Sequence, residues 1–326
     1  MKGIIVAVIA TLICGWSSFA ASRTIQTGHI PKVKIAVSLT PLSTPLFIAE
    51  RLGFFVDNDI DVELIPCEGG VNCANLLQNN TVDYATASGT VALFNQHQYN
   101  NILILSSFVT SSNDIKLLTL DQLKINSLQD LSGKKVGIIK SSASELYFDF
   151  LLISNALQEL DVERVYLEPH EMVPALLSFQ VDAISVWEPY GYKASLLSTT
   201  PVIDLGLKGI YQLSFNLLAK SPRTILSSTD KEILSAIYQA TQWVEKHPSE
   251  SISLISNELG VDPQQVKWAW GDYIFELTNG YTLLSNLQLQ ARWASERKII
   301  EGEPIDVRSF IDNTAYIDLQ TSGVIE

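Results

Sequence analysis

Residues that bind metals are scarce in this chain of 326 residues, which has only four histidines and three cysteines. None of His29, His97, His170 and His247 falls at ligand spacing to a cysteine, so no metal site is expected. Nucleotide and hydrolase signatures are missing as well. There is no Gly-x-Gly-x-x-Gly, no phosphate loop, no Gly-x-Ser-x-Gly elbow and no His-Glu-x-x-His. No cofactor and no catalytic group is therefore expected, and His170-Glu171 reads as a satisfied or solvated pair at a strand end. Basic residues are few: Lys and Arg number 22 against 35 Asp and Glu, a formal net charge of −13, with a pI near 4.8. Nucleic acid and anionic lipid, which require basic patches, are excluded as partners. After the first twenty residues no apolar run is long enough to span a bilayer.

What is present begins with a targeting segment. Lys2 supplies a positive start, residues 4–14 an apolar run, and Ser18-Phe19-Ala20 small residues three and one before a cut after Ala20. Residues 1–20 are thus expected to be a signal peptide, with export to the periplasm and a mature chain starting near Ala21. Bulky Ile13 precedes Cys14 where a lipoprotein signal needs a small residue, which argues against a lipid anchor. Cys67 and Cys73 remain, in Pro66-Cys67-Glu68-Gly69-Gly70-Val71-Asn72-Cys73. In an oxidising compartment a disulfide between them is the natural expectation. The length suggests two domains or one large one, and 47% apolar residues suffice for a sizeable core.

Along the chain, short apolar runs alternate with helical patterns. Strands are expected at 33–37, 61–66, 82–87 and 102–109, with a helix after each of the first three. Thr44 is the expected N-cap of the first helix, Pro45 its first residue and Gly53 its stop. The same order then recurs, with strands at 136–139, 163–168 and 181–186. Val82-Asp83 and Val181-Asp182 are its closest echo. Alternating strands and helices imply parallel sheets with right-handed crossovers, hence an α/β fold of two lobes. From about Thr229 the chain turns helical: Ile233, Ile237, Ala240 and Val244 mark one face, and further helices are expected over 263–275 and 284–300. Trp268, Trp270 and Tyr273 read as core.

The stretch 133–145 carries the clearest local signal. A glycine-bracketed strand turns directly into a helix, with Ser142 at the N-cap and Glu145 completing a capping box. Leu146, Phe150, Ile153 and Leu157 form the expected apolar face of that helix. Such a turn aims free N–H groups and hydroxyls beyond the sheet edge, where open α/β sheets bind ligands. Four segments should meet in the cleft between the lobes: 38–44, 87–90, 140–144 and 187–190. The candidate ligand-binding residues are Thr40, Ser43, Thr44, Ser88, Gly89, Thr90, Ser141, Ser142, Ser144, Trp187, Glu188 and Tyr190. The hydroxyl turns suit an acid group. Trp187 or Tyr190 would stack on a ligand, and Glu188 would accept from an amine or ring N–H. The alternative is that the serines only cap helices and Glu188 is a surface residue.

The chain resembles a known family at Phe47-Ile48-Ala49-Glu50-Arg51-Leu52-Gly53-Phe54-Phe55, Asp130-Leu131-Ser132-Gly133-Lys134-Lys135-Val136-Gly137, Val181-Asp182-Ala183 and Trp187-Glu188-Pro189-Tyr190. It is similar to the extracytoplasmic solute-binding proteins of the nitrate/sulfonate/taurine and thiamine-pyrimidine-precursor group. The resemblance implies a type II periplasmic-binding fold, two doubly wound lobes around a ligand cleft with a helical C-terminal tail. It places hinge crossings near 110–116 and 207–215, so that lobe 1 is 32–112 plus 216–320 and lobe 2 is 113–215. It adds Ser111, Ser112, Asn113, Asp114 and Asn216 as candidate contacts. It implies a monomeric, non-enzymatic protein that captures a small organic anion or zwitterion for a membrane ABC permease, or reports it to a membrane sensor. A thiamine-precursor pyrimidine is the alternative ligand, and an enzyme on the same scaffold the rival reading. The Cys67–Cys73 segment departs from the group's pattern. The cysteine-rich iron motif of its pyrimidine-synthase relatives is missing here.

Overall fold

A computed structural model describes residues 32–222, 227–302 and 305–325. The expected signal peptide, its cleavage near Ala20 and Cys14 lie outside the described residues. The strands are β1 (Lys32–Ser38), β2 (Asp61–Cys67), β3 (Tyr84–Ser88), β4 (Ile102–Ser111), β5 (Ile115–Leu120), β6 (Lys134–Ile138), β7 (Val162–Tyr166), β8 (Ala183–Trp187), β9 (Val202–Asp204), β10 (Leu213–Lys220) and β11 (Tyr273–Ile274). They form a six-stranded sheet in the order β11-β4-β10-β3-β1-β2 and a five-stranded sheet in the order β7-β6-β8-β5-β9.

Each sheet has a parallel centre and one strand inserted in reverse. In the first, β1 runs parallel to β2 and β3, while β10 is antiparallel to β3 and β4. In the second, β6 runs parallel to β7 and β8, while β5 is antiparallel to β8 and β9. These two inserted strands, β10 and β5, are the ones that follow a crossing, while β11 adds a short antiparallel edge to the first sheet. The chain leaves the first sheet after Ser111 and enters the second at Ile115; it leaves β9 at Asp204 and re-enters the first sheet at Leu213.

The echo between the two halves has a physical basis. Asp83 sits just before β3; its backbone N–H donates to Lys34 O (2.9 Å), and its carboxylate accepts from Lys34 N (2.8 Å). Asp182 just before β8 does the same to Lys135, at 2.8 Å for both bonds. In each lobe this Val-Asp pair anchors the incoming strand to the central one before the ladder begins. The buried valines, Val82 and Val181, fix the pair against the core.

Helices Thr44–Arg51, Gly69–Gln78 and Gly89–Tyr99 belong to the first lobe; Ala143–Ser154, Pro169–Leu177 and Tyr190–Leu197 belong to the second. In the tail, Ile233, Ile237, Ala240 and Val244 are buried as their spacing requires. Their helix, Ser227–Lys246, packs on the helix Thr44–Arg51 and on β4.

Three expectations about helix faces and extents fail. Ile153 is 44% exposed, and the helix Ala143–Ser154 instead buries Leu146, Phe148, Leu151 and Leu152. It is wedged between the lobes, where Phe150 meets Tyr211 and Trp293 edge-on, so no single stripe describes it. Trp268 is 62% exposed, and its ring lies 5.8 Å from that of Tyr192 rather than in the core. The helix expected over 263–275 ends at Trp270, because residues 273–274 pair with β4 as β11.

Candidate functional site

The strand ends of both sheets converge on a small cavity of about 30 Å³. From the first lobe come Thr40 and Ser88. Thr40 caps a short 3-10 turn, its hydroxyl accepting from Leu42 N at 3.1 Å. Ser88 caps the helix Gly89–Tyr99, accepting from Val91 N at 3.3 Å. From the second lobe comes Ser142, which caps the helix Ala143–Ser154, accepting from Ser144 N at 3.2 Å and donating to Ile139 O at 2.6 Å. Trp187, at the end of β8, closes the cavity from the same side. Thus Thr40, Ser88, Ser142 and Trp187 are brought together. Trp187 and Val71 also border an outer recess of about 930 Å³, lined further by Ser141, Lys140 and Tyr166 of the second lobe and by Glu68, Asn95 and His97 of the first.

The remaining candidates lie elsewhere. Ser43 is buried away from the cavity, and Thr44 is the first helical residue rather than the cap, donating to Pro41 O at 2.6 Å. At Gly89 a Cβ would lie 2.9 Å from both Leu287 and Ser214, so glycine serves close packing there. Thr90 Oγ1 donates to Gln290 and lies 2.9 Å from the Tyr211 hydroxyl, facing the helical tail. Ser144 is tied into its own turn through Ile139 N and Ser142. Glu145 closes that turn one residue earlier than a capping box would, accepting from Ser141 N at 2.8 Å. Its other oxygen accepts from the Tyr166 hydroxyl at 2.8 Å. Ser112 links the two crossings, its carbonyl accepting from Gly209 N, while Asn113 donates to Asp272 at 2.7 Å. Asn216 is fully buried in β10 and donates to Ala87 O.

Glu188 and Tyr190 turn away for identifiable reasons. Glu188 folds over the start of the helix Tyr190–Leu197, where it accepts from Tyr192 N at 3.0 Å. Gly191 permits this, since a Cβ there would be 2.6 Å from Glu188 Oε1. Burial raises the Glu188 carboxyl above its ordinary value. It borders a side recess with Asn113, Lys116, Trp268 and Asp272, not the inner cavity. Tyr190 stands edge-on behind Trp187, with ring centroids 6.4 Å apart. Its hydroxyl donates to Glu68 Oε1 at 2.9 Å, and the other oxygen of Glu68 is 3.1 Å from His170 Nδ1. Glu68 belongs to the turn closed by the Cys67–Cys73 disulfide, which is formed. That turn therefore clasps the second lobe.

The cavity also holds groups that the reading of the sequence passed over: Val71, Leu213, Phe215 and Gly70. One signal was available. A Cβ at Gly70 would sit 3.0 Å from Ala87 Cα, so the Gly-Gly pair marks a close approach of the helix Gly69–Gln78 to β3. Leu213 and Phe215 lie on the unexpected strand β10. Among the described residues, the only charged side chain in the cavity wall is Asp114, which is buried in the first crossing. One of its oxygens accepts from the Tyr273 hydroxyl at 2.8 Å. Burial pushes the carboxyl up to about 7, against the hydrogen bond from Tyr273. No histidine, cysteine, lysine or arginine lines the cavity among the described residues. Its exposed surface is mostly apolar, and the Thr40, Ser88 and Ser142 hydroxyls at its edge cap their own turns.

Known proteins are similar to this chain in sequence and in fold. A Haemophilus influenzae protein provisionally named for thiamine biosynthesis is 26% identical over 262 residues, covering 77% of this chain and 83% of its own length. A Bacillus subtilis protein provisionally named as binding aliphatic sulfonates is 25% identical over 328 residues, 96% of this chain and 95% of its own. Among solved structures, the alkanesulfonate-binding protein SsuA from Xanthomonas axonopodis pv. citri, bound to MOPS, superposes with a TM-score of 0.76. The match covers 87% of this chain and 98% of that one at 16% identity. The periplasmic aliphatic sulphonate-binding protein SsuA from Escherichia coli gives a TM-score of 0.73 at 18% identity, over 86% and 92% of the two chains. The fold is that of the periplasmic binding proteins. The family model described as NMT1/THI5 like matches residues 40–251, and the chain belongs to that family.

Proposed function

We propose that this protein is an exported, monomeric solute-binding protein that captures a small organic anion or zwitterion between its lobes and delivers it to a membrane ABC permease. Residues 32–112 with 216–320 act as one lobe and 113–215 as the other. The observation that carries this reading is the meeting of helix-start hydroxyls from both sheets, Thr40 and Ser88 with Ser142, at one cavity beside Trp187. Such helix ends favour an anion by about 0.3–1 kcal/mol each, more when desolvated, without a full positive charge beside it. Closure is a population shift, driven by contacts the ligand makes only when the lobes meet. The sulfonate-binding names among the relatives point to a sulfonate or taurine-like ligand.

A thiamine-precursor pyrimidine is the second reading. It is favoured by the indole wall of Trp187 and by the name of the Haemophilus relative. A membrane sensor in place of the permease would use the same closed form. Calorimetry of the mature chain against taurine, alkanesulfonates, nitrate and an aminopyrimidine, with small-angle scattering in parallel, tests the proposal. Binding accompanied by ligand-induced compaction is expected. Silence across the whole panel, with unchanged scattering, would refute it.

A further inference from the structure

We infer that Asp114 selects the ligand: its unpartnered carboxylate oxygen receives an N–H of the solute, so the protein takes amino-bearing solutes and rejects their matched analogues that lack the amino group. This deepens the solute-binding reading above and rests on it.

The geometry is specific. Asp114 lies in the first crossing between the sheets, between β4 and β5, and forms part of the cavity wall together with the serine-capped turns. It is 1% exposed. The Tyr273 hydroxyl satisfies Oδ1 at 2.8 Å, while Oδ2 is buried and accepts no hydrogen bond from the described residues. A buried carboxylate oxygen with no donor costs the folded protein free energy, and a ligand that supplies the donor recovers it. The inner cavity, about 30 Å³, has room for one small head group. The adjoining recess of about 930 Å³ takes the rest of the molecule past Trp187, with the acid group against Ser141 beside the helix start at Ser142. An ammonium or an amino group on a flat ring fits the first space; a bare sulfonate or nitrate there would face the carboxylate. The charged and titratable groups around Asp114 are Tyr273, Tyr211, Glu188, Lys116 and Asp272. Lys116 alone is cationic. With burial and two further carboxylates opposing it, Asp114 is poised to accept a proton from solvent when no ligand donor is present.

The pH dependence therefore has a sign. A donor-bearing ligand needs the ionised carboxylate, so its affinity rises about tenfold per pH unit towards 7 and then levels. An anion lacking a donor would bind more weakly as the same carboxylate ionises.

The test pairs taurine with ethanesulfonate, and a 4-aminopyrimidine with the same ring lacking the amino group. Each is titrated calorimetrically into the mature wild-type chain and Asp114→Asn from pH 5.5 to 8. Expected are binding of at least one amino-bearing member, weaker binding of its partner, and the rising pH profile in wild type. Asp114→Asn should weaken the amino-bearing ligand on the order of a hundredfold and flatten the profile. The two pairs distinguish an aliphatic ammonium from a ring amine. A wild-type protein that binds ethanesulfonate as tightly as taurine, or shows a flat or falling profile, overturns the inference and leaves the solute-binding reading standing. Should Asp114→Asn fail to fold, the wild-type profile and the matched pairs decide alone. No binding by any member removes both.

Discussion

Substituting Asp114 by Asn should make the protein more stable at neutral pH while impairing its binding. Asn keeps the acceptor for the Tyr273 hydroxyl, which donates to Asp114 at 2.8 Å, and removes a charge that the surroundings do not solvate. The carboxyl is raised from its ordinary 3.8 to about 7, first by burial. The folded protein thus holds a proton there more tightly than the unfolded chain. The favourable contribution is complete below pH 3.8, declines as pH rises, and is gone above about 7. Each pH unit of that interval is worth about 1.4 kcal/mol, so ionised Asp114 costs the fold about 4 kcal/mol at pH 8. Chemical and thermal denaturation of wild type and Asp114→Asn between pH 4 and 8 measures this directly. The two should nearly coincide at pH 4, with the variant ahead on the order of 10 °C at pH 8. Equal stabilities at pH 8, or a gap that does not depend on pH, would refute the assignment of a strained buried carboxylate.

Other consequences follow from the same contacts. Replacing Cys67 and Cys73 together by Ser opens the short loop between them. It should cost about 2 kcal/mol in denaturant unfolding, with a matching loss on reduction of the wild type. Glu68→Ala removes both interlobe contacts of the clasp, to Tyr190 and His170. The ligand-free protein should then expand in scattering, and the ligand should dissociate faster in stopped flow, by about 1–2 kcal/mol in apparent affinity. Glu188→Gln keeps the acceptor for Tyr192 N and lies outside the cavity, so solute affinity should change by no more than about twofold to threefold in calorimetry.

Much of the fold was legible because it is written in local chemistry. Apolar runs bracketed by glycine and lysine, such as the one at β6, can only be buried strands once helices follow them. Ser88 and Ser142 announced helix starts, and both cap as their positions require. The reversed strands β5 and β10 were not legible, since strand direction is decided by where a crossing delivers the chain and leaves no periodicity of its own. The site was read less well for a related reason. Glu188 is one residue from Trp187, yet the two side chains face different spaces, and the choice depends on Gly191 leaving room for the carboxylate. Ser112, Asn113 and Asp114 stood together as candidates at the crossing. Only their tertiary partners separate Asn113, spent on Asp272, from Asp114, with an oxygen to spare.

The central claim is that turns from both halves of the molecule enclose one solute. A crystal structure of the mature chain grown with the tightest-binding panel compound tests it most directly. The account predicts ligand density in contact with Thr40 or Ser88 on one side and with Ser142 and Trp187 on the other. Density that touches the turns of a single lobe, or that lies outside the space beside Trp187, would contradict it.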